Sequence, residues 1–339
     1  MDSALVAAVA MALAFALTNG FLDAANAIAT LVATRAARPL PAILMASIAN
    51  LLGPLLLGAA VADAVAGIVT VEQGIAVAVI GAGLTGAVLW DVITWWRGIP
   101  TSSSHALVGG LTGSAIVAAG VDAVAWGPLV DGHLGGVLGI LVGIFLATVL
   151  GFGTSWLLER VALRPARRAS RAAQRPVRLG QWAASAWLAF SHGANDASKA
   201  VGVVAALLVA AGDIDDVSDT GVLTIVGCSL ALTLGTALGG WRIVKTIGTR
   251  IYPLHSLDGL VNQTSSAAVI FGASLAGAPI STSQVVSSSV VGIGAGRRRW
   301  HHVSWGVVRE IALTWLTTMP GAALFAALAL PLWMWFAGA

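Results

Sequence analysis

The chain has 339 residues, of which 58% are hydrophobic and only 10% are charged, and its mean hydropathy is +0.89. A soluble domain carries roughly 25% charged residues, so this composition excludes a soluble globule and makes the lipid bilayer the main solvent. The formal net charge of +3 does not indicate a nucleic-acid partner, because the arginines lie in short stretches between apolar runs and form no basic face.

Apolar runs of about 20 residues, the length that crosses a bilayer, recur along the whole chain. They predict an all-α polytopic membrane protein. We predict ten spans, at about 4–33, 41–60, 73–95, 102–120, 133–158, 180–211, 220–240, 256–276, 281–296 and 304–336.

The loop charges predict how these spans are oriented. Basic residues belong on the cytoplasmic side of a membrane, and they follow the first, third, fifth, seventh and ninth predicted spans, most densely at 160–178. The loops between them are acidic, at Asp63, Glu72, Asp122, Asp131, Asp213, Asp215, Asp216 and Asp219. We therefore expect a multi-pass plasma-membrane protein with cytoplasmic basic loops and both termini outside. The central basic segment also suits contact with anionic membrane lipid.

Two motifs repeat between the halves of the chain. NGFLDAANAIAT (19–30) is similar to SHGANDASKAVG (191–202), and PTSSSHALVGGLTG (100–113) is similar to PISTSQVVSSSVVG (279–292). Each half holds five predicted spans, an odd number, so the second copy is inverted in the membrane. Inverted repeats with interrupted helices are typical of secondary transporters that bind their substrate near the midplane.

We accordingly divide the chain into a first inverted repeat at 1–159, a basic cytoplasmic loop at 160–179 and a second inverted repeat at 180–339. In each repeat we expect one helix to be broken at its polar motif. A second helix is expected to begin at a Ser/Thr-rich hairpin start.

Asp23 and Asp196 occupy equivalent positions of the repeat, inside apolar spans. A charged side chain at the centre of a membrane helix costs about 2.5–3.5 kcal/mol on insertion scales, so it normally has a partner and a function. Asn26 lies one turn after Asp23, and Asn195 is beside Asp196. Carboxylate and amide oxygens suit Na⁺, a proton relay or a divalent cation. We predict cation coupling by these four residues, with both carboxylates ligating Na⁺ if the coupling ion is sodium; a hydrogen-bonded helix pair is the structural alternative.

Three further polar residues lie within the motifs. Lys199, one turn after Asp196, either neutralises that carboxylate or faces an anion. His105 and His192 either pass protons and orient their neighbours or serve as hydrogen-bonded structure.

Hydroxyl clusters follow a proline and open an apolar helix in each half, which is a helix-start pattern. Their free N–H groups and the positive end of the helix dipole attract anions. Two inverted starts meeting at mid-membrane would suit a small oxyanion such as phosphate or sulfate, whereas ordinary capping and helix packing is the alternative. The predicted substrate ligands are Thr101, Ser102, Ser103, Ser104, Ser281, Thr282 and Ser283, with Asn26 and Asn195.

These motifs resemble those of the inorganic phosphate transporter (PiT) family. The similarity lies in NGFLDAANAIAT, PTSSSHAL, FSHGANDASKAVG and PISTSQVVSSSVVGIGA, and extends to LDGLVNQTSSA and WGVVREIALTW. The resemblance implies uptake of inorganic phosphate driven by an H⁺ or Na⁺ gradient, an inverted-repeat fold and a homodimer. It implies cation coupling at the Asp and Asn pairs and phosphate binding at the hydroxyls, without a cofactor. Leu22 and Gln284 stand where the family usually has His, and Ala197-Ser198 replaces a pair ending in Gln; these departures bear on the coupling ion more than on the substrate.

Three other functions fit part of the pattern. A transporter of the same architecture could carry sulfate or another tetrahedral oxyanion, since both anions suit neutral hydroxyl and N–H donors. A passive anion channel is disfavoured by the buried carboxylates, which would repel an anion in the absence of a cation. An enzyme is not expected, because Ser104 and His105 are sequence neighbours and neighbours on a helix do not face each other.

Overall fold

A computed structural model describes residues 3–127, 129–130, 133–166 and 171–338. The all-α class is confirmed. The helices are α1 Ser3–Ala33, α2 Pro39–Leu57, α3 Ala62–Ala66, α4 Gln73–Arg97, α5 Ser103–Ala119, α6 Gly136–Ala166, α7 Gln174–Ala211, α8 Val222–Leu238, α9 Trp241–Lys245, α10 Ser256–Leu275, α11 Thr282–Gly296 and α12 Trp305–Ala337. A π-helical segment, Thr246–Arg250, continues α9, and four 3₁₀ turns lie in the connections. Within the described residues the only strands are β1 Leu129–Val130 and β2 His133–Leu134, an antiparallel pair.

Fewer helices cross the membrane than the sequence predicts. In the described part of the chain, α1, α2, α4, α6, α7 and α12 are long and apolar enough to span, and the α8–α9 pair, bent by 61°, makes a seventh. Helices α5 and α11 have only 17 and 15 residues, or about 26 and 23 Å at ~1.5 Å per residue, short of the ~30 Å hydrocarbon core. The prediction of ten full spans is therefore wrong.

The short helices belong to two helical hairpins, α4–α5 and α10–α11. Thr70, before α4, hydrogen-bonds Ala123, after α5, so the first hairpin begins and ends on one side of the protein. Gln73 at the start of α4 lines the same cavity as Val209 near the end of α7, and α7 begins beside the end of α1, where Thr34 donates to Gln181. The first hairpin therefore begins and ends on the side where α1 begins. Gly259 at the start of α10 lies against Thr34 at the end of α1, so the second enters from the opposite side. A hairpin returns the chain to the side from which it came, as two spans would. The predicted orientation is therefore unaffected by the lower count.

The helix breaks do not lie where the sequence predicts them. Helices α1 and α7 run unbroken through Asp23 and Asp196, so the expected break at each acidic motif is wrong. The breaks instead separate α2 from α3 at Gly58 (φ 72°) and α8 from α9 at Gly239 (φ 69°). These left-handed φ values favour glycine, which has no Cβ to clash. The carboxylates need no unwound backbone, since side chains of their own helix and of neighbouring helices satisfy them.

The central segment is also more helical than expected. We predict a basic loop at 160–179, but α6 continues to Ala166 and α7 begins at Gln174, preceded by a 3₁₀ turn. Arg and Gln are good helix formers, so the helices extend past the apolar runs. Residues 167–170 of the predicted loop, and Asp131 of a predicted acidic loop, fall outside the described residues.

Each repeat packs its last helix against the hairpin of the other repeat. Helix α12 lies along α4 and α5, and α6 lies along α10 and α11. A methyl group at Gly109 of α5 would lie 2.5 Å from the Met319 carbonyl oxygen, and one at Gly292 of α11 would lie 2.4 Å from that of Phe152. Backbone approach this close is typical of membrane helices with small residues at their contacts. The halves at 1–159 and 180–339 are thus interlocked, and their boundaries describe the sequence repeat only.

One buried ion-pair cluster ties α6 to the base of the α10–α11 hairpin. Arg297 at the end of α11 lies 2.9 Å from Glu159 (Nε to Oε1) and also pairs with Asp258 at the start of α10. Both carboxylates are fully buried. A buried carboxylate that loses its partner is strongly destabilising.

We therefore expect Arg297→Gln to destabilise the protein by about 3 kcal/mol, the lower end of the range for breaking a buried pair, because Arg297 is partly exposed. Thermal unfolding in detergent measures the effect as a lower midpoint. Arg298→Gln is the control, since that neighbouring residue has no ion pair among the described residues. Equal midpoints for the two variants would show that the cluster adds no stability.

Candidate functional site

The polar motifs of both halves meet in one buried cluster. Helices α1 and α7 contribute Asp23 and Asp196, and the start of α5 and of α11 contributes the hydroxyls. We call the segments 100–104 and 279–283 the first and second hairpin tips. Asp23 is 3% exposed and Asp196 is fully buried, so the cluster is closed to both sides of the protein in this conformation.

Asp23 connects α1 to both tips. Its Oδ1 accepts hydrogen bonds from Ser283 and, at 2.8 Å, from the Asn26 amide. Its Oδ2 accepts from Ser103 at 3.3 Å. Because one carboxylate receives hydroxyls from α5 and α11 together, its charge holds the two tips at the same place.

Asp196 lies between two basic side chains of its own helix. Its Oδ1 pairs with the Lys199 ammonium, and its Oδ2 lies 2.7 Å from Nε2 of His192. The Thr282 hydroxyl approaches Oδ2 at 3.4 Å. The spacing of three and four residues places Lys199 and His192 on the same face of α7 as Asp196. The same His192 nitrogen is 4.0 Å from Asp23.

Lys199 fastens α7 to both tips. Its ammonium donates to the Ser104 hydroxyl and to the Ile280 carbonyl, each at 2.7 Å, besides pairing with Asp196. A Lys ammonium has three protons to donate, and these partners use all of them. Of the two roles that the sequence leaves open, the geometry fits neutralisation of Asp196 rather than contact with an anion.

The remaining residues of the first tip have structural partners. Thr101 shares a 3.0 Å hydrogen bond with Thr318 of α12. Ser102 caps α5, since its hydroxyl accepts from the His105 backbone N–H at 3.2 Å. The sequence alternative of ordinary capping therefore describes Ser102, whereas Ser103 turns to the carboxylates.

The second tip is arranged differently. The Asn26 amide nitrogen lies 3.1 Å from the Thr282 hydroxyl and 3.0 Å from that of Ser283. Ser281 is 2% exposed and its hydroxyl has no hydrogen-bond partner among the residues described. Asn195, the counterpart predicted to bind substrate, instead braces the tip: its amide nitrogen donates to the Ala278 carbonyl at 3.1 Å, and its oxygen accepts from the Ile280 N–H at 3.3 Å.

His105 and Gln284, which occupy equivalent positions of the repeat, contact each other across the two hairpins. The His105 Nδ1 to Gln284 Nε2 distance is 3.0 Å, and the Gln284 oxygen accepts from Thr148 of α6 at 2.9 Å. His105 is half-buried and its described contacts are with Gln284, so it joins the hairpins away from the carboxylates.

Asn50 of α2 and Thr236 of α8 belong to the site but were missed in the sequence. The Thr236 hydroxyl donates to the Leu232 carbonyl at 3.0 Å, so it accepts the 2.8 Å hydrogen bond from the Asn50 amide nitrogen. The Asn50 oxygen then faces Nδ1 of His192, 3.0 Å away. Asn50 is an amide inside an otherwise apolar predicted span, and this feature of the sequence could have identified it.

This network assigns the protons of His192. Nδ1 must carry a proton, because it faces the Asn50 oxygen, which can only accept. Nε2 lies 2.7 Å from the Asp196 carboxylate, and two bare acceptors at that distance would repel each other. A second proton is therefore shared between Nε2 and the Asp196 carboxylate. The ligand atoms of Asp23, His192 and Asp196 lie within 4.8 Å of one another, close enough to share a proton or to hold a metal ion.

Comparison with known proteins agrees with the two-repeat pattern. The sequence model of the phosphate transporter family matches twice, at residues 19–167 and 161–326. A probable low-affinity inorganic phosphate transporter of Rhizobium meliloti is 37% identical, over 96% of this chain and 95% of the relative. A protein of the same description from Bacillus subtilis is 35% identical, over 94% and 93%. A solved structure, titled the sodium-dependent phosphate transporter, superposes with a TM-score of 0.84 over 97% of this chain and 98% of that one, at 24% identity, which supports the fold.

Proposed function

The chain belongs to the phosphate transporter family, and on that premise we propose that it imports inorganic phosphate in symport with a cation, H⁺ or Na⁺, by alternating access. The observation that carries this proposal is the meeting of two inverted, hydroxyl-bearing helix starts at Asp23, with Asp196 beside it. We further propose that the protein lies in the plasma membrane as a homodimer, with its basic segments cytoplasmic and both termini outside.

The donors and acceptors at the tips suit phosphate. Ser103, Ser281, Thr282 and Ser283 present hydroxyls near the N-terminal ends of α5 and α11, where the helix dipole favours an anion. The Asn26 oxygen is buried and has no hydrogen-bond partner within the described chain. Phosphate near pH 7 carries a proton that such an acceptor, or Asp23, could receive. Sulfate has none to offer, so these acceptors favour phosphate.

The charges at the site support coupling of phosphate transport to a cation. Asp23 is held by hydroxyls and an amide, and Lys199 is committed to Asp196. An anion brought beside Asp23 in a medium of low dielectric constant would be repelled, so a cation has to accompany it. The proton between His192 and Asp196 is the charge placed to do so, and we propose H⁺ as the coupling ion in preference to Na⁺.

The burial of the site favours alternating access over a channel. The hydroxyls of both tips are at most 5% exposed, as are Asp23 and Asp196. A substrate can therefore reach them only after the hairpins or their supporting helices move. An open channel would need a continuous wet path past the same residues.

The decisive experiment is uptake of radiolabelled phosphate by proteoliposomes, with pH and Na⁺ gradients imposed separately. We expect an inward proton gradient to drive uptake and a Na⁺ gradient alone to have little effect; the reverse would identify Na⁺ as the coupling ion. Uptake that persists unchanged when all gradients are collapsed would reject symport. Equal competition by sulfate would reject selectivity for phosphate.

The hydroxyls can be tested one at a time. Ser283→Ala and Ser103→Ala should each raise the KM for phosphate about tenfold, because a hydrogen bond to a charged group contributes roughly 1.5–3 kcal/mol. Ser288→Ala is the matched control, since its hydroxyl donates to the Val285 carbonyl of its own helix. An unchanged KM in both site variants, measured by initial rates of uptake, would remove these hydroxyls from the phosphate site.

A further inference from the structure

Asp91, in the C-terminal third of α4, is a fully buried carboxylate that the proposed mechanism does not use. Neither of its oxygens has a hydrogen-bond partner among the described residues. The other buried carboxylates of the described chain all have partners: Asp196 pairs with Lys199, Glu159 and Asp258 pair with Arg297, and Asp23 accepts hydroxyls and an amide. Burying an unpaired charge is costly enough that such a group is either neutralised or bound to a cation.

Asp91 lies beside α1, on the outward side of Asp23. Helix α4 packs against α1, and the Trp95 ring, one turn after Asp91, contacts the Phe21 ring at 4.8 Å. Both helices begin on the same side of the protein and run in the same direction. Asp91 is therefore level with the turn of α1 that precedes Phe21.

The same turn of α1 contains a second polar side chain without a partner. Asn19 is fully buried, and neither atom of its amide has a hydrogen-bond partner in the part of the chain that the structure describes. It lies four residues before Asp23, so the two side chains share one face of the helix. Two buried polar side chains on neighbouring helices, both unsatisfied at the same level, point to a ligand that completes them.

We propose that Asp91 and Asn19 form a second cation site, one helical turn outward from Asp23, which binds a monovalent cation, H⁺ or Na⁺. The site is separate from the Asp23–His192–Asp196 cluster and offers oxygen atoms only, the donors that alkali cations prefer over nitrogen.

The charge count around the tips supports this site. Three buried carboxylates, Asp23, Asp91 and Asp196, face the Lys199 ammonium and a protonated His192. Lys199 and His192 lie against Asp196 and Asp23, so Asp91 is the carboxylate left without a counter-charge. A cation bound at Asp91 neutralises it. It would also offset part of the charge of an arriving oxyanion.

Cation stoichiometry of the purified protein tests the site without any transport. Wild type and Asp91→Asn are compared for bound ²²Na⁺ at equilibrium, at pH 8 in choline buffer, and for protons taken up between pH 8.5 and 5.5 in the absence of Na⁺. Asp91→Asn should bind one cation fewer: one Na⁺ fewer identifies sodium as the occupant, and one proton fewer with unchanged Na⁺ identifies the proton. Asp213→Asn, an exposed acid in a loop, is the control and should leave the Na⁺ count unchanged.

Equal counts of Na⁺ and of protons in Asp91→Asn and wild type would overturn the proposal, since Asp91 would then be a permanently neutral structural acid. Asn19→Leu is the second variant, used also if Asp91→Asn fails to fold, and should weaken binding of the same cation about tenfold, a loss of about 1.4 kcal/mol. Unchanged cation affinity in Asn19→Leu would overturn the part assigned to Asn19. Because phosphate is absent from both assays, failure of the transport proposal would not alter their outcome.

Discussion

Asp23→Asn should abolish gradient-driven phosphate uptake while leaving the protein folded. Asparagine has the shape of aspartate and keeps one oxygen for Ser283 or Ser103, so the tips can still close on it. It cannot carry the negative charge that a coupled cation would balance. We expect the initial rate in proteoliposomes to fall at least ~100-fold, about 2.7 kcal/mol of transition free energy.

Exchange of labelled for unlabelled phosphate across the same vesicles separates binding from coupling. If Asp23 acts only through the cation, exchange at saturating phosphate should fall less than gradient-driven uptake. Asp63→Asn, which alters an exposed acid of α3, serves as the control and should behave as wild type. Wild-type uptake by Asp23→Asn would exclude this carboxylate from coupling.

The same substitution at Asp196 tests the other carboxylate. Asp196→Asn leaves Lys199 with the Ser104 hydroxyl and the Ile280 carbonyl but removes the negative charge that holds the proton shared with His192. We expect uptake to be lost here too, together with any dependence on the pH gradient. Uptake that remains but no longer responds to pH would show that this pair carries the coupled proton and Asp23 does not.

The sequence was sufficient to predict that the two acidic motifs meet the two hairpin tips. Asp23 and Asp196 stand at equivalent positions of an inverted repeat, and so do the two Ser/Thr-rich starts, so symmetry alone places them around one point. The contacts of Ser103 and Ser283 with Asp23 follow that expectation. Polar residues inside apolar helices are conspicuous, because each needs a partner where water is absent.

The sequence was not sufficient to predict how the chain runs between these residues. Apolar composition cannot distinguish a span from half of a hairpin, so the sequence predicts full spans at α5 and α11. The breaks lie at Gly58 and Gly239. The sequence does not distinguish these two from its many other glycines, whereas the structure does so by their positive φ. No local feature of the sequence indicates that α12 packs against the hairpin of the first half. Asn50 gains its role only through contacts with α7 and α8.

Lys199→Met should be strongly destabilising as well as inactive. Lys199 is 1% exposed and lies against Asp196, which is fully buried. Removing the ammonium leaves the carboxylate with His192 as its only cationic neighbour among the described residues. It also takes the donor from Ser104 and from Ile280, which loosens both tips. Breaking a buried pair in this way costs about 3–5 kcal/mol, and thermal unfolding in detergent would measure the loss.

The double variant Lys199→Met/Asp196→Asn separates the effect of neutralising Asp196 on stability from its effect on transport. With both charges gone no unpaired ion remains, so the unfolding midpoint should recover most of the way to wild type, as expected for a coupled pair. Uptake should stay absent, because the negative charge that holds the proton shared with His192 is gone. A double variant as unstable as Lys199→Met would mean that the tips depend on the ammonium's bonds to Ser104 and Ile280 and not on its charge. Lys199 would then stabilise the tips through those two hydrogen bonds, and the charge of Asp196 would have to be balanced by the coupled proton alone.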